Sequence, residues 1–412
     1  MFRLQRWKPL TKALVLLALL TAITSFIKFD HCRNNGWVSP DIDVHACYTD
    51  ISSLYHGRGL NVHQWAYSGG DNAIEYPVIT GTIMWATSLL VPMDSNGTRK
   101  YFDLNIFLIA LLFIATVVIV GYMKPEFAHL LPLSPAVMAS LYINWDLWGI
   151  ITMMAAIYYF DKKRLNLSAI LIAISIATKF FPVLLLLPIA FILWRRNQLR
   201  SLVKYIGTTL FVWLAINLPV ILTTPVGWWR FYKLNLERQS DWGSLWYGLS
   251  ILNFPVRSLN YVTILSLLAI LTACMIYFLE LTETPTLADV SFIVLAGVLC
   301  VGKVYSPQYI LWLVPLAVIA LKNKKQLLAF WIWQAAEAIY HIAVWQHLAL
   351  LGGAKFGLPA GGYALAIIAR ILACTYFIAV LVRTSLKNRP PQAKQAHKRL
   401  ADFLFEGGGS YP

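Results

Sequence analysis

Long apolar stretches separated by short basic or aromatic turns recur along the whole chain. Their apolar residues occupy every helical face, so the period-two alternation of a membrane β-barrel is absent. After a first apolar segment at 13–26, further segments fall at 73–92, 102–121, 126–143, 145–160, 166–179, 180–194 and 203–222. A second set follows at 259–279, 288–301, 307–321, 328–347 and 362–383. Most approach the roughly 20 residues that cross a hydrocarbon core. The pattern predicts an all-α polytopic membrane protein. One integral-membrane domain covers 1–385, with a polar first loop at 29–72, and a basic cytoplasmic tail covers 386–412.

Composition agrees with this division. Of 412 residues, 58% are hydrophobic and 13% charged, against roughly 25% charged in soluble domains. A net charge of +15 would point to nucleic acid in a soluble chain. Here the cations sit in short loops, as membrane orientation requires, and no nucleic-acid partner is expected. Lys162-Lys163-Arg164, Arg195-Arg196 with Arg200 and Lys204, Lys322 with Lys324-Lys325, and the tail from Arg383 are separated by even numbers of segments. They therefore share one face, which the positive-inside rule makes cytoplasmic. Arg3, Arg6, Lys8 and Lys12 put the N-terminus on that face too, ahead of a signal anchor rather than a cleaved leader.

The count fails in one place. Five segments lie between the N-terminus and Lys162, although both ends belong inside. One early segment must fall short of a full crossing. Segment 73–92, with Pro77 and Gly81, and segment 126–143, with Pro132 and Pro135, both qualify, and the sequence leaves the choice open. About twelve spans with one re-entrant or broken segment, both termini inside, is the expected topology. There is no tandem repeat and no second soluble domain.

This topology gathers the chemistry on the outer face, where ionisable residues at membrane depth are costly and usually functional. The first loop carries Asp41, Asp43 and Asp50, together with Cys32 and Cys47. The two cysteines lie in the oxidising compartment and are a disulfide candidate, whose closed loop of about 15 residues would be worth roughly 3 kcal/mol in loop entropy. Two unpaired cysteines are the alternative. Asp50 precedes Ile51-Ser52-Ser53-Leu54-Tyr55, which suits a short interfacial helix. There it could serve as general base or, as single aspartates more often do, as a cap or solvated charge. Asp41 and Asp43 follow Pro40 in a turn pattern. Glu75 suits positioning a hydroxyl. Lys179 and Lys303 suit binding a lipid-linked phosphate or, equally, snorkelling to headgroups. Arg230 and Arg238 flank a tryptophan-rich loop typical of an interfacial belt. His31, His45, His56 and His63 follow no usual zinc spacing, so no metal is expected. Gly-rich stretches lack the lysine and hydroxyl of a phosphate loop, so no nucleotide or other cofactor is expected.

Taken in order, Tyr48-Thr49-Asp50 with Leu54-Tyr55-His56-Gly57, Glu75-Tyr76-Pro77, Asn144-Trp145-Asp146, Ala177 to Pro182 and Lys303 to Tyr309 resemble integral-membrane glycosyltransferases of the C superfamily. The order is similar to that in bacterial polyprenyl-phosphate-mannose-dependent α-mannosyltransferases that build phosphatidylinositol mannosides and lipoglycans. The resemblance implies a glycosyltransferase C-type helical bundle in the plasma membrane, with its active site outside. It also implies a polyprenyl-phosphate sugar donor and a glycolipid or glycan acceptor, met among membrane lipids. Asp50 would be the catalytic base of an inverting transfer. Lys179, Lys303 and Arg238 would bind the donor phosphate, and Glu75, Tyr76, Asp146 and Tyr55 the substrates. A multi-pass transporter or flippase of lipid-linked sugars is the chief alternative, followed by a non-catalytic envelope scaffold.

Overall fold

The computed structural model describes residues 9–387. The basic residues before Pro9 and nearly all of the predicted tail lie outside the described residues. Those described form helices and connecting turns, with no strand among them. Six helices are long and apolar enough to cross a membrane: Pro9–Asn35, Gly97–Met123, Leu199–Thr223, Leu259–Glu280, Lys324–Leu351 and Ala360–Lys387. Shorter apolar helices pack among them. This is the architecture of a helical membrane protein.

The first helix shows how the bundle is built. Leu16, Leu20, Ile23 and Ile27 are exposed along one stripe, where lipid would cover them. Ala18, Thr21, Ala22, Ser25 and Phe29 are buried on the other. That inner stripe has a polar task. Pro135 divides segment 126–143 into the short helices Leu130–Leu133 and Pro135–Ser140, leaving backbone carbonyls without helical partners. Thr21 Oγ1 donates to the Pro132 carbonyl at 2.7 Å, Ser25 Oγ to Met138 at 2.8 Å and Lys28 Nζ to Ala139 at 2.6 Å. The broken segment is thus satisfied by protein, as non-helical backbone at membrane depth must be.

Helix directions define two ends. Asp146–Asp161, about 24 Å long, begins beside Ile143 and Lys179 and finishes at Asp161 and Lys162. Ile310–Ala320, every residue of which is buried, runs the same way. One end carries a cavity of about 540 Å³ near Lys124, Lys162 and Lys322. The other carries the first loop.

Two boundaries differ from the sequence expectation. The first helix continues through Asn35, well into the loop predicted from residue 29, because Arg33 pairs in bidentate fashion with Asp103 and Cys32 is buried and bonded to Cys47. Segment 73–92 is helical only over Val78–Ser88. Both its flanks are tied to the first loop: the Tyr76 hydroxyl reaches Asp50, and the Val91 carbonyl lies 3.0 Å from His63 Nε2.

Candidate functional site

Asp50 is the first residue of the helix Asp50–Gly57, capped by Thr49, whose side chain accepts from the Ile51 N–H. The Thr49 hydroxyl donates to Tyr142 at 2.8 Å, and the Asp50 N–H donates to Ile143 at 2.8 Å. The start of this helix is therefore pinned to the segment before Asp146. The helix N-terminus also favours a negative side chain at its first position. Tyr48 donates to Asp50 Oδ1 at 3.0 Å and Tyr76 to Oδ2 at 2.8 Å. Two phenols thus fix the carboxylate plane while each oxygen keeps a lone pair for another proton. Burial pushes the Asp50 carboxyl up from the ordinary carboxylate range, opposed by the Tyr76 and Tyr48 hydrogen bonds and by the charge of Lys179.

This carboxylate lines a cavity of about 490 Å³. Its walls come from the first loop, the Glu75-Tyr76 turn, Lys179, the helix Pro225–Glu237 with Arg238 to Trp242, the turn Ser306 to Tyr309, and Val344 to Leu348. Asp43 faces it too, and burial pushes its carboxyl up to about 6. Tyr48 stacks on Trp345 with centroids 5.3 Å apart. Tyr309, Trp242 and Trp345 supply further aromatic wall.

The residues singled out in the sequence divide into three groups. Asp50, Glu75, Tyr76, Lys179 and Arg238 line the cavity. None of the cations is bare. Lys179 Nζ sits 2.9 Å from Asp146 Oδ1 and 4.8 Å from the Tyr76 ring centroid, and Arg238 pairs with Asp241. Glu75 is held by Arg58 through contacts of 2.7 and 2.9 Å. Asp146 and Tyr55, expected to touch substrate, do not line the cavity. Asp146 is buried behind Lys179, and Tyr55 is 1% exposed and stacked on Tyr101. Lys303, expected at the donor phosphate, also lies off the cavity wall. Its Nζ donates to the Arg238 carbonyl at 2.7 Å and to Asn260 Oδ1 at 2.9 Å, so it positions the Arg238 turn. Cys32 and Cys47 form a disulfide.

Sequence reasoning assigned no role to Asp241, Tyr48, Trp345 or Tyr309, although Tyr48 and Tyr309 stand in the motifs that carry the resemblance. An aspartate three residues after Arg238 was a visible signal for that pair. Trp345 lies inside an apolar run and has no local signal at all. Compared with known proteins, the chain matches no family profile, and no curated protein resembles it significantly.

Proposed function

We propose that this protein is an integral-membrane glycosyltransferase of the C superfamily, moving a hexose, in the first instance mannose, from a polyprenyl-phosphate carrier to a glycolipid or glycan acceptor. The observation that carries this reading is the meeting of Asp50 with Lys179 and Arg238 around one aromatic-walled cavity, from segments far apart in sequence. The Asp50 carboxylate takes the proton of the acceptor hydroxyl. The freed oxygen lone pair forms the new bond at the anomeric carbon, on the face opposite the phosphate, and inverts it. The bond from that carbon to the phosphate oxygen breaks, and its electron pair leaves with the polyprenyl phosphate. Lys179 and Arg238 stabilise the charge that develops there, exchanging part of their contact with Asp146 and Asp241 for phosphate oxygens. All of the energy comes with the donor.

The helix directions support twelve crossings with both termini on the lysine-rich, cytoplasmic side. The broken segment connects Lys124 at one end to Ile143 at the other and counts as a crossing. The early segment that falls short is Val78–Ser88, 11 residues or about 16 Å of helix, against a core of about 30 Å. On this reading the Asp50 cavity opens at the extracytoplasmic face of the plasma membrane, opposite the lysine-rich end.

Reconstitution into liposomes with radiolabelled polyprenyl-phosphate-mannose and extracted membrane lipids separates this reading from a transporter. The glycosyltransferase converts label into a new glycolipid. Donor that changes leaflet while no labelled product forms would instead establish the flippase.

A further inference from the structure

We infer that His31, Asp41 and His45 form a binding site for a divalent transition-metal ion of the zinc class, beside the Cys32–Cys47 disulfide. His31 lies in the last turns of Pro9–Asn35, Asp41 opens the short helix Asp41–Val44, and His45 caps its end. Both imidazole Nε2 atoms face one carboxylate. His31 Nε2 is 2.7 Å from Asp41 Oδ2, and His45 Nε2 is 3.3 Å from Oδ1. The two rings lie against each other with centroids 3.7 Å apart, and the three ligand atoms fall within 4.8 Å of one another.

The donor set and its spacing suit a metal. Two histidines and a carboxylate are an established zinc set, and bonds of roughly 2.0–2.1 Å put tetrahedral ligand atoms about 3.3 Å apart. The His45–Asp41 pair already stands at that separation. The His31–Asp41 pair must widen by roughly half an ångström to admit an ion between them. Nothing encloses these side chains tightly: His31 is 39% exposed, Asp41 36% and His45 45%. The Asn35 carboxamide, 3.1 Å from His31 Nε2, stands next to the site. Its oxygen and nitrogen are interchangeable by a flip, so its oxygen or a water supplies the fourth position.

Pairing of both histidines with Asp41 would hold the same geometry without an ion, so uptake of metal by the wild type decides between the two. The disulfide fixes the residues next to His31 and near His45, so little loop entropy remains to be lost on binding. Linear zinc patterns miss the cluster because its ligands are brought together by the chain reversal after Asn35. His56 and His63 take no part; they contact Thr98 Oγ1 and the Val91 carbonyl. A bound ion would clamp the end of the first helix to Asp41–Val44, whose Ile42 and Asp43 line the cavity. The site would thereby stiffen one wall of the candidate active site.

The test uses the full chain in detergent, its affinity tag removed and its metal stripped by chelator. Zn²⁺ is titrated by calorimetry and Co²⁺ by visible absorption, with melting temperature followed in parallel. The expected result is one ion per chain and a higher melting temperature. His31→Ala and His45→Ala should each weaken binding by more than the roughly 10–100-fold typical of losing an outer-shell partner. His56→Ala should bind as wild type. His45→Asn, which keeps a polar side chain, replaces His45→Ala if that variant misfolds. Failure of the wild type to take up either ion would overturn the proposal, as would full binding by the His31→Ala/His45→Ala double variant.

Discussion

The Asp50 carboxyl is held between opposing influences, and its pH behaviour follows from them. Burial raises its pKa, while Tyr76 and Tyr48 donate to the ionised form and favour it. A carboxyl raised in the folded state contributes stability below its unfolded pKa and loses that contribution as pH rises through the folded value. Above the folded value the ionised Asp50 therefore costs stability, and there Asp50→Asn should melt no lower than wild type. As a base, only the ionised form works. Transfer should rise with pH through the raised pKa and level off above it. Tyr76→Phe removes a donor to the carboxylate, so its acid limb should move to higher pH. A pH–rate profile with the limb unmoved would show that Tyr76 does not tune the base. Asp50 could be singled out as a candidate in the sequence because it stands in a polar outer loop, between Tyr48-Thr49 and Leu54 to Gly57, in the order that carries the resemblance. Its tuning was not legible, since Tyr76 is distant in sequence and only folding sets it against Oδ2.

At the scale of elements, the site depends on two connections. The Cys32–Cys47 bridge closes a separation of 15 residues, and breaking it should cost about 3 kcal/mol by loop entropy. Cys32→Ser/Cys47→Ser should lower the melting temperature clearly, with transfer falling in step because Ile42 and Asp43 form part of the cavity wall. Unchanged melting would remove the bridge as a structural tie. The helix Pro225–Glu237 docks through Gly227, where an added Cβ would collide with the Tyr67 carbonyl. Gly227→Ala should push the helix outward with Phe231, Leu234 and Asn235. Transfer should then slow about tenfold or more, since a misplacement of about 1 Å can cost on the order of a hundredfold in rate. An unaltered rate in a steady-state assay would mean that this helix does not shape the candidate site. Most apolar helices were legible because a lipid-facing segment has to be continuous in hydrophobicity. Val78–Ser88 was harder, since an 11-residue helix among polar turns reads like the middle of a longer span.

Across the whole molecule, the buried charges report how the bundle closes. Glu337 and Arg370, 2% and 0% exposed, lie 3.6 Å apart between Lys324–Leu351 and Ala360–Lys387. Glu337 also accepts from Tyr305 at 2.9 Å and Trp333 at 3.2 Å, and the Arg370 guanidinium lies between the Tyr305 and Tyr340 rings. Glu337→Gln leaves Arg370 charged and unpaired, which should destabilise by about 3–5 kcal/mol. Thermal melting in detergent checks this, and a wild-type midpoint would contradict it. The sequence reading passed over both residues, although they stand as ionisable positions inside the apolar runs 328–347 and 362–383, and nothing local reveals that they pair with each other. The same distinction holds at the cavity, where residue types were legible and partners distant in sequence, such as Asp146 for Lys179, were not. The most direct test of the central claim compares purified wild type with Asp50→Asn at matched folded concentration, with polyprenyl-phosphate-mannose and membrane-lipid acceptor. Loss of about 10²–10⁴-fold in transfer, with the melting temperature kept, is the predicted result. Equal transfer by the two proteins would contradict Asp50 as the base.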